Sequence, residues 1–176
     1  MTQLFMTHPG PLTASCPLAP EGYRLRAGTR DDAPDISIVL EEAFAEPWSV
    51  DRVLSTLLAA DDVPRVWVIT DGLRVVGTAS ERLLPAQYPD AGYVHYVGVA
   101  SSARGHRLGQ VVTEACLYGF FQRGLGAAVL ETDDFRLPAV RTYLRIGFVP
   151  EYRSDLERSA WSAVFRELEH PNPTTT

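Results

Sequence analysis

Arg104-Gly105-His106-Arg107-Leu108-Gly109-Gln110 is the stretch whose residue types and spacing point most directly to chemistry. It follows an alternating apolar run, Tyr93-Val94-His95-Tyr96-Val97-Gly98-Val99, and opens an amphipathic stretch carrying Val111, Val112 and Ala115. A strand, a glycine-rich turn and a helix start make an anion site, because the first helical N–H groups lack internal partners and the macrodipole leaves partial positive charge there. Gly105 and Gly109 let a ligand approach the backbone closely, while Arg104 and Arg107 add bidentate donors suited to phosphate oxygens. A diphosphate is the natural guest. The plain alternative is a solvated basic turn whose glycines serve only chain reversal. Neither G-x-G-x-x-G nor G-K-[ST] is present, so the dinucleotide and Walker patterns do not fit.

The elements that would position this stretch follow from changes of period along the chain. Tyr23 to Ala27 alternates as a strand, and Thr29, Asp31 and Asp32 supply capping chemistry for a helix through Ile36, Val39, Leu40 and Ala43. Pro47 and Trp48 break that pattern. Ser49 then caps a second helix with Val50, Val53, Leu54, Leu57 and Leu58 on one face. Val66 to Ile69 and Val75 to Ala79 read as a hairpin across Asp71-Gly72. A proline-bearing loop from Leu83 to Gly92 leads to the strand Tyr93 to Val99, then a helix from about Leu108 to Arg123 and a strand from Ala127 to Glu131. A short helix from Leu137 to Arg145 follows, and the last strands fall near Phe148 to Arg153 and Trp161 to Leu168. The order is β-α-α-β-β-β-α-β-α-β-β, an α/β (α+β) fold with a mixed six- or seven-stranded sheet and helices on both faces.

The chain of 176 residues carries a net charge of −6, with 45% hydrophobic and 22% charged residues, which fits one globular domain. Prolines 9, 11, 17 and 20 and the lack of apolar period predict a mobile arm over residues 1–20; the domain spans 21–170, with a tail at 171–176. The acidic balance argues against nucleic-acid and membrane partners and tolerates a cationic one such as an amine. No apolar run approaches the roughly 20 residues of a membrane span and no secretory pattern opens the chain, so the expected location is cytoplasmic. Cys16 and Cys116 are too few for a disulfide framework or a zinc site, and no metal is expected.

Val97-Gly98-Val99, then Arg104 and Gly109, resemble the strand plus [QR]-x-x-G-x-[GA] acetyl-CoA signature of the GNAT superfamily of N-acetyltransferases. Ala139-Val140-Arg141-Thr142-Tyr143-Leu144-Arg145-Ile146-Gly147-Phe148 is similar to the same family's A-x-x-x-Y-x-x-x-G-F segment, and the likeness extends over about Gly22 to Leu168. Two positions depart from the pattern: Arg107 stands at the signature's usual first glycine, and Arg136 stands where many members carry asparagine. The resemblance implies acetyl-CoA as co-substrate and acetyl transfer to a primary amine by direct attack in a ternary complex. It implies that the Val97 to Val99 backbone pairs with the pantetheine arm and that Arg104, Gly105, His106, Arg107, Leu108, Gly109 and Gln110 hold the diphosphate. Tyr143 matches the family's usual general acid.

An alkylammonium has a pKa near 10.4, so a base or water chain is needed before attack. His95 is the first choice, since strict alternation puts it on the face of Val97 and Val99, and arylalkylamine-type members carry histidine at the matching place. Glu131, Glu41, Glu42 or ordered water are the alternatives. Acceptor contacts are expected from Trp48, Tyr88, Glu131 and Asp133, and the acceptor is a small-molecule or protein amine. The family's habits also allow a homodimer. The rival reading is a non-catalytic acyl-CoA-binding regulatory domain.

Overall fold

The computed structural model describes residues 2–10 and 14–169; the tail at 171–176 lies outside them. Its elements are β1 (Gln3–His8), β2 (Arg24–Ala27), α1 (Ala33–Phe44), α2 (Val50–Val53, running on as a π-helical turn over Leu54–Leu58), β3 (Arg65–Thr70), β4 (Val75–Arg82), β5 (Ala91–Val99), α3 (Leu108–Gln122), β6 (Ala127–Asp133), α4 (Leu137–Arg145), β7 (Val149–Pro150) and α5 (Asp155–Leu168). The seven strands form one sheet in the order β2-β3-β4-β5-β6-β1-β7. All recorded pairs are antiparallel except β5 with β6.

Local chemistry accounts for the element ends. Asp32 accepts from the Thr29 amide at 2.7 Å and takes the Arg26 guanidinium in a bidentate grip at 2.6 and 2.7 Å, which holds its carboxyl below the usual range and fixes the entry to α1. Ser49 and Ser154 cap α2 and α5 by accepting from the amides of Arg52 and Glu157. In the β3–β4 turn, Gly72 has φ 102° and the Asp71 carboxylate accepts from the amides of Leu73 and Arg74.

Two expectations fail. Residues 3–8 are not part of a mobile arm: they form β1, which lies between β6 and β7 with Phe5 opposite Glu131. Leu4 and Met6 are 0% exposed, so the first residues supply core that the proline-weighted composition concealed. The prolines lie beyond the strand, in the segment that leads back to β2. The second failure is the strand expected near Trp161 to Leu168, which is helix α5. Trp161, Val164, Phe165 and Leu168 are its buried residues, and their spacing of 0, 3, 4 and 7 is the helical stripe. Only Val149 and Pro150 of the preceding segment pair as β7.

Helices do cover both faces. A Cβ on Gly98 would meet Leu40, Ala43 and Val39 of α1 at 3.2 to 3.3 Å, whereas one on Gly92 would strike the Phe120 ring of α3. Under α3 lies a buried carboxylate, Glu81, which accepts from Trp67 Nε1 at 2.7 Å and pairs with Arg123 at 3.3 Å. Burial pushes its pKa up against these partners. Gly119 makes the room, because a Cβ there would lie 1.8 Å from Glu81 Oε1.

If β1 is core, Leu4→Ala should cost about 2–5 kcal/mol in chemical denaturation, the range for a buried leucine. A cost of a few tenths would return residues 3–8 to the status of an arm.

Candidate active site

The pairing of β5 with β6 runs only from Ala91–Ala127 to Tyr93–Val129, although β5 continues to Val99 and β6 to Asp133. Beyond Tyr93 the two parallel strands diverge, and the β6-facing backbone of β5 is left without a strand partner. The cause is visible in the β4–β5 ladder. Ser80 faces His95 and Thr78 faces Gly98, so Tyr96 and Val97 together oppose Ala79, which is a β-bulge. Tyr96 takes φ 48°, a left-handed conformation that costs a non-glycine residue about 1–3 kcal/mol.

This bulge corrects the expected placing of His95. Gly92 faces α3, so alternation puts Tyr93 and His95 on the α1 face; past the bulge Gly98 faces α1 while Val99 lies against Gly109 of α3. His95 therefore shares a face with Gly98 and stands opposite Val97 and Val99. Its carbonyl accepts from Ser80 Oγ at 2.8 Å, its Nδ1 is buried without a hydrogen-bond partner, and burial with nearby Arg82 pushes its pKa down to about 4. The imidazole is neutral at physiological pH.

Around His95 the α1 face is floored by rings. Tyr93 lies 5.4 Å from the His95 ring, and Tyr88, from the loop after β4, stacks on Tyr93 at 6.1 Å and meets Phe5 of β1 at 5.9 Å. The Tyr93 hydroxyl donates to Glu131 Oε2 at 3.1 Å, and burial together with that carboxylate drives the phenol's pKa up. The structure thus brings His95, Tyr88 and Glu131 together. Trp48 is 4% exposed, so it buttresses Tyr96 from behind. Asp133 is engaged by Arg136 at 3.0 Å, and Arg136 also donates to the Ala43 carbonyl at 2.9 Å. Glu42 is spent on the amide of Ser101 at 2.7 Å, which holds its carboxyl below the ordinary range.

At the far end of β5 the turn behaves as an anion cradle should. Gly105 has φ 85° with nothing within 4 Å of the position a Cβ would take, and Arg107 is left-handed at φ 59° where the signature's glycine is usual. The first α3 hydrogen bond runs from the Val111 amide to the Arg107 carbonyl, so the amides of Leu108, Gly109 and Gln110 have no helical partner. Arg104 and Arg107 are exposed and form no salt bridge among the described residues. His106 packs against Tyr23 at 5.3 Å, a neighbour from the opposite end of the sequence that no local pattern announces.

Tyr143 sits in α4, 6% exposed, with its ring 5.9 Å from Phe148. Burial raises its pKa, opposed by the positive charge of Arg136, so the phenol keeps its proton and can only donate. No cluster of three metal-ligating side chains occurs among the described residues, and no helix there is long and apolar enough to cross a membrane.

The His95 shift links to stability. Between pH 6.5 and about 4 the unfolded chain binds a proton that the folded chain refuses, so stability is complete above 6.5 and falls as the pH drops. Urea unfolding at pH 6.5 and 5 should show a loss of stability that is smaller by about 2 kcal/mol in His95→Gln than in the natural protein; equal losses in both would contradict the buried, neutral imidazole.

Comparison with known proteins agrees with this geometry. The family model described as the acetyltransferase (GNAT) family matches residues 33–148. The mycothiol acetyltransferase of Nocardia farcinica is 31% identical over 118 residues, covering 67% of this chain and 35% of the relative. That of Pseudarthrobacter chlorophenolicus is 39% identical over 139 residues, covering 73% and 43%. The chain thus spans less than half the length of these relatives. Among solved structures, the GCN5-related N-acetyltransferase from Sphaerobacter thermophilus superposes with a TM-score of 0.68 at 24% identity, over 85% of this chain and 48% of that one. The ribosomal-protein-S18-alanine N-acetyltransferase from Escherichia coli gives 0.63 at 18% identity, over 74% and 79%. With two thirds of its length matched by one family model and its sheet splayed beside a helix-start cradle, the chain belongs to the GNAT acetyltransferase family.

Proposed function

We propose that the protein transfers an acetyl group from acetyl-CoA to the primary amine of a small molecule. The observation that carries this reading is the divergence of β5 from β6, which leaves strand backbone unpaired on the approach to the α3 cradle. Open space at Gly105, free first-turn amides and two unpaired arginines fit a diphosphate, and the unpaired stretch Val97 to Val99 fits an amide-bearing arm added as a strand. The mycothiol acetyltransferases, by their name, act on a small molecule, which favours that class of acceptor over a protein amine.

Acetyl-CoA would supply an acyl carbon joined to a sulfur leaving group whose thiol pKa is near that of cysteine, about 8.5. The main-chain N–H groups of Val97 and Val99, on the edge turned away from β4, donate toward the acyl oxygen, where negative charge grows during attack. Tyr143 donates its O–H to the departing sulfur. Because its pKa is raised by burial, complete proton transfer to a thiolate is uphill, and the phenol stabilises the sulfur chiefly by a charge-assisted hydrogen bond.

His95, with a pKa of about 4, cannot strip an ammonium of pKa near 10. The amine enters unprotonated, and the proton passes to the His95 imidazole through an ordered water as the nitrogen bonds to carbon and its N–H turns acidic. Glu131, held by Tyr93, lies on the same floor and draws the ammonium form of the acceptor to the cleft, where it loses its proton to solvent before attack.

Calorimetry with acetyl-CoA, followed by a thiol-release assay over an amine panel, tests the reading. Binding followed by release with at least one small amine is expected; binding with no release for any acceptor would favour a non-catalytic acyl-CoA-binding domain. Tyr143→Phe should lower kcat by about 10- to 100-fold with cofactor affinity nearly intact, and unchanged turnover would remove Tyr143 from the mechanism. Replacing Arg104 and Arg107 together with glutamine should weaken cofactor binding and flatten its salt dependence; an unaltered affinity would move the diphosphate elsewhere.

A further inference from the structure

Tyr96 holds a left-handed backbone inside a strand, the conformation that glycine supplies at a bulge of this kind. Its ring lies 3.8 Å from that of His95 on the same strand and is gripped by two further rings from outside the sheet. Trp48, at the α1–α2 junction, meets it edge-on at 4.7 Å, and Phe44, at the end of α1, meets it edge-on at 5.6 Å. Each gripping ring carries a guanidinium: Arg52 lies 3.8 Å over Trp48, and Arg136 lies 4.5 Å over Phe44. The cations are themselves tethered, Arg52 to Glu46 and the Pro47 carbonyl at 2.9 Å each, Arg136 to Asp133 at 3.0 Å and the Ala43 carbonyl at 2.9 Å. One continuous stack, Arg136–Phe44–Tyr96–Trp48–Arg52, therefore joins the start of α4 to the bulge of β5 and on to α2.

We propose that this stack positions the reacting backbone, with Tyr96 as the positioning residue: its clamped ring holds the bulge, which turns this end of β5 away from β6 and aims the N–H groups of Val97 and Val99 at the acyl oxygen. The inference rests on the acetyl-transfer reading of the splay. If Tyr96 relaxed to extended geometry, one residue would again oppose Ala79 and every later side chain of β5 would change face. Val97 or Val99 would then press on α1, where the spacing around Gly98 admits no larger residue without movement. Glycine would satisfy the backbone at position 96 without strain. The tyrosine is thus explained by its ring, which ties the bulge to α1, α2 and, through Arg136, to the helix that bears Tyr143.

Tyr96→Gly keeps the left-handed backbone and removes the ring, so it tests the clamp without forbidding the fold; Tyr96→Phe keeps the ring. With the full chain, Tyr96→Gly should lower kcat about 10- to 100-fold, the scale of a misplacement near 1 Å, while the Kd for desacetyl CoA stays within about threefold. The preference for acetyl-CoA over CoA should fall toward unity, because that preference reads the aim of the N–H groups at the acyl oxygen. Tyr96→Phe should recover most of kcat. Trp48→Leu, which removes one jaw, should lower kcat in the same direction with the melting temperature followed in parallel. The proposal is overturned if Tyr96→Gly keeps its turnover, if Tyr96→Phe is as impaired as Tyr96→Gly, or if kcat and CoA affinity fall together with the melting temperature. Failure of the natural protein to bind acetyl-CoA at all would instead strike the functional reading first, and the inference with it.

Discussion

Parallel strands that stay paired bury all their backbone polar groups in the ladder and leave nothing for a ligand. In this protein β5 and β6 keep their ladder for three residue pairs and then part, while β5 remains fully committed to β4 on its other side. That one-sided release is the constraint on which the site depends. It requires β5 to bend, the bend requires an extra residue opposite Ala79, and the extra residue requires Tyr96 to sit left-handed. The glycine two residues on lets α1 approach the same strand closely, so cleft and helix packing are set by adjacent positions of one strand.

Protonation follows from where that cleft puts its side chains. Burial acts in opposite senses on an acid and a base but with one result: Tyr143 is driven up and His95 down, and both are neutral over the physiological range. The charges are held elsewhere. Arg104 and Arg107 stand exposed at the cradle, where phosphate charge would be met, and Glu131 accepts from Tyr93 at the other end of β5. The proposed cofactor end and the proposed acceptor end would thus carry opposite charge along a single strand.

The parts of this arrangement that depend on local pattern were legible in the residues. The strand, glycine-rich turn and helix start at 93–110, the hairpin at Asp71-Gly72, and the helix bearing Tyr143 all follow from periods and turn residues that need no distant partner. What escaped depends on long-range packing. β1 is six residues long and has no stability of its own; it exists because β6 and β7 flank it, and four prolines nearby dominate the composition of its segment. α5 carries a helical stripe, but its aromatic and β-branched residues over Trp161 to Leu168 also suit a strand. Gly98 marks a bulge or close approach in this strand but not which residue bears it, so strict alternation puts His95 on the wrong face, and Tyr96, Tyr93 and Tyr23 gain their roles only from neighbours far away in the chain.

Backbone N–H resonances report the central claim most directly, because the account assigns specific amides to a ligand. Titration of isotopically labelled protein with acetyl-CoA should shift the amides of Val97 and Val99 together with those of Leu108, Gly109 and Gln110, and slow their exchange with solvent. Shifts confined to other parts of the sheet, with these five amides unmoved at saturation, would contradict a cofactor seated in the splay.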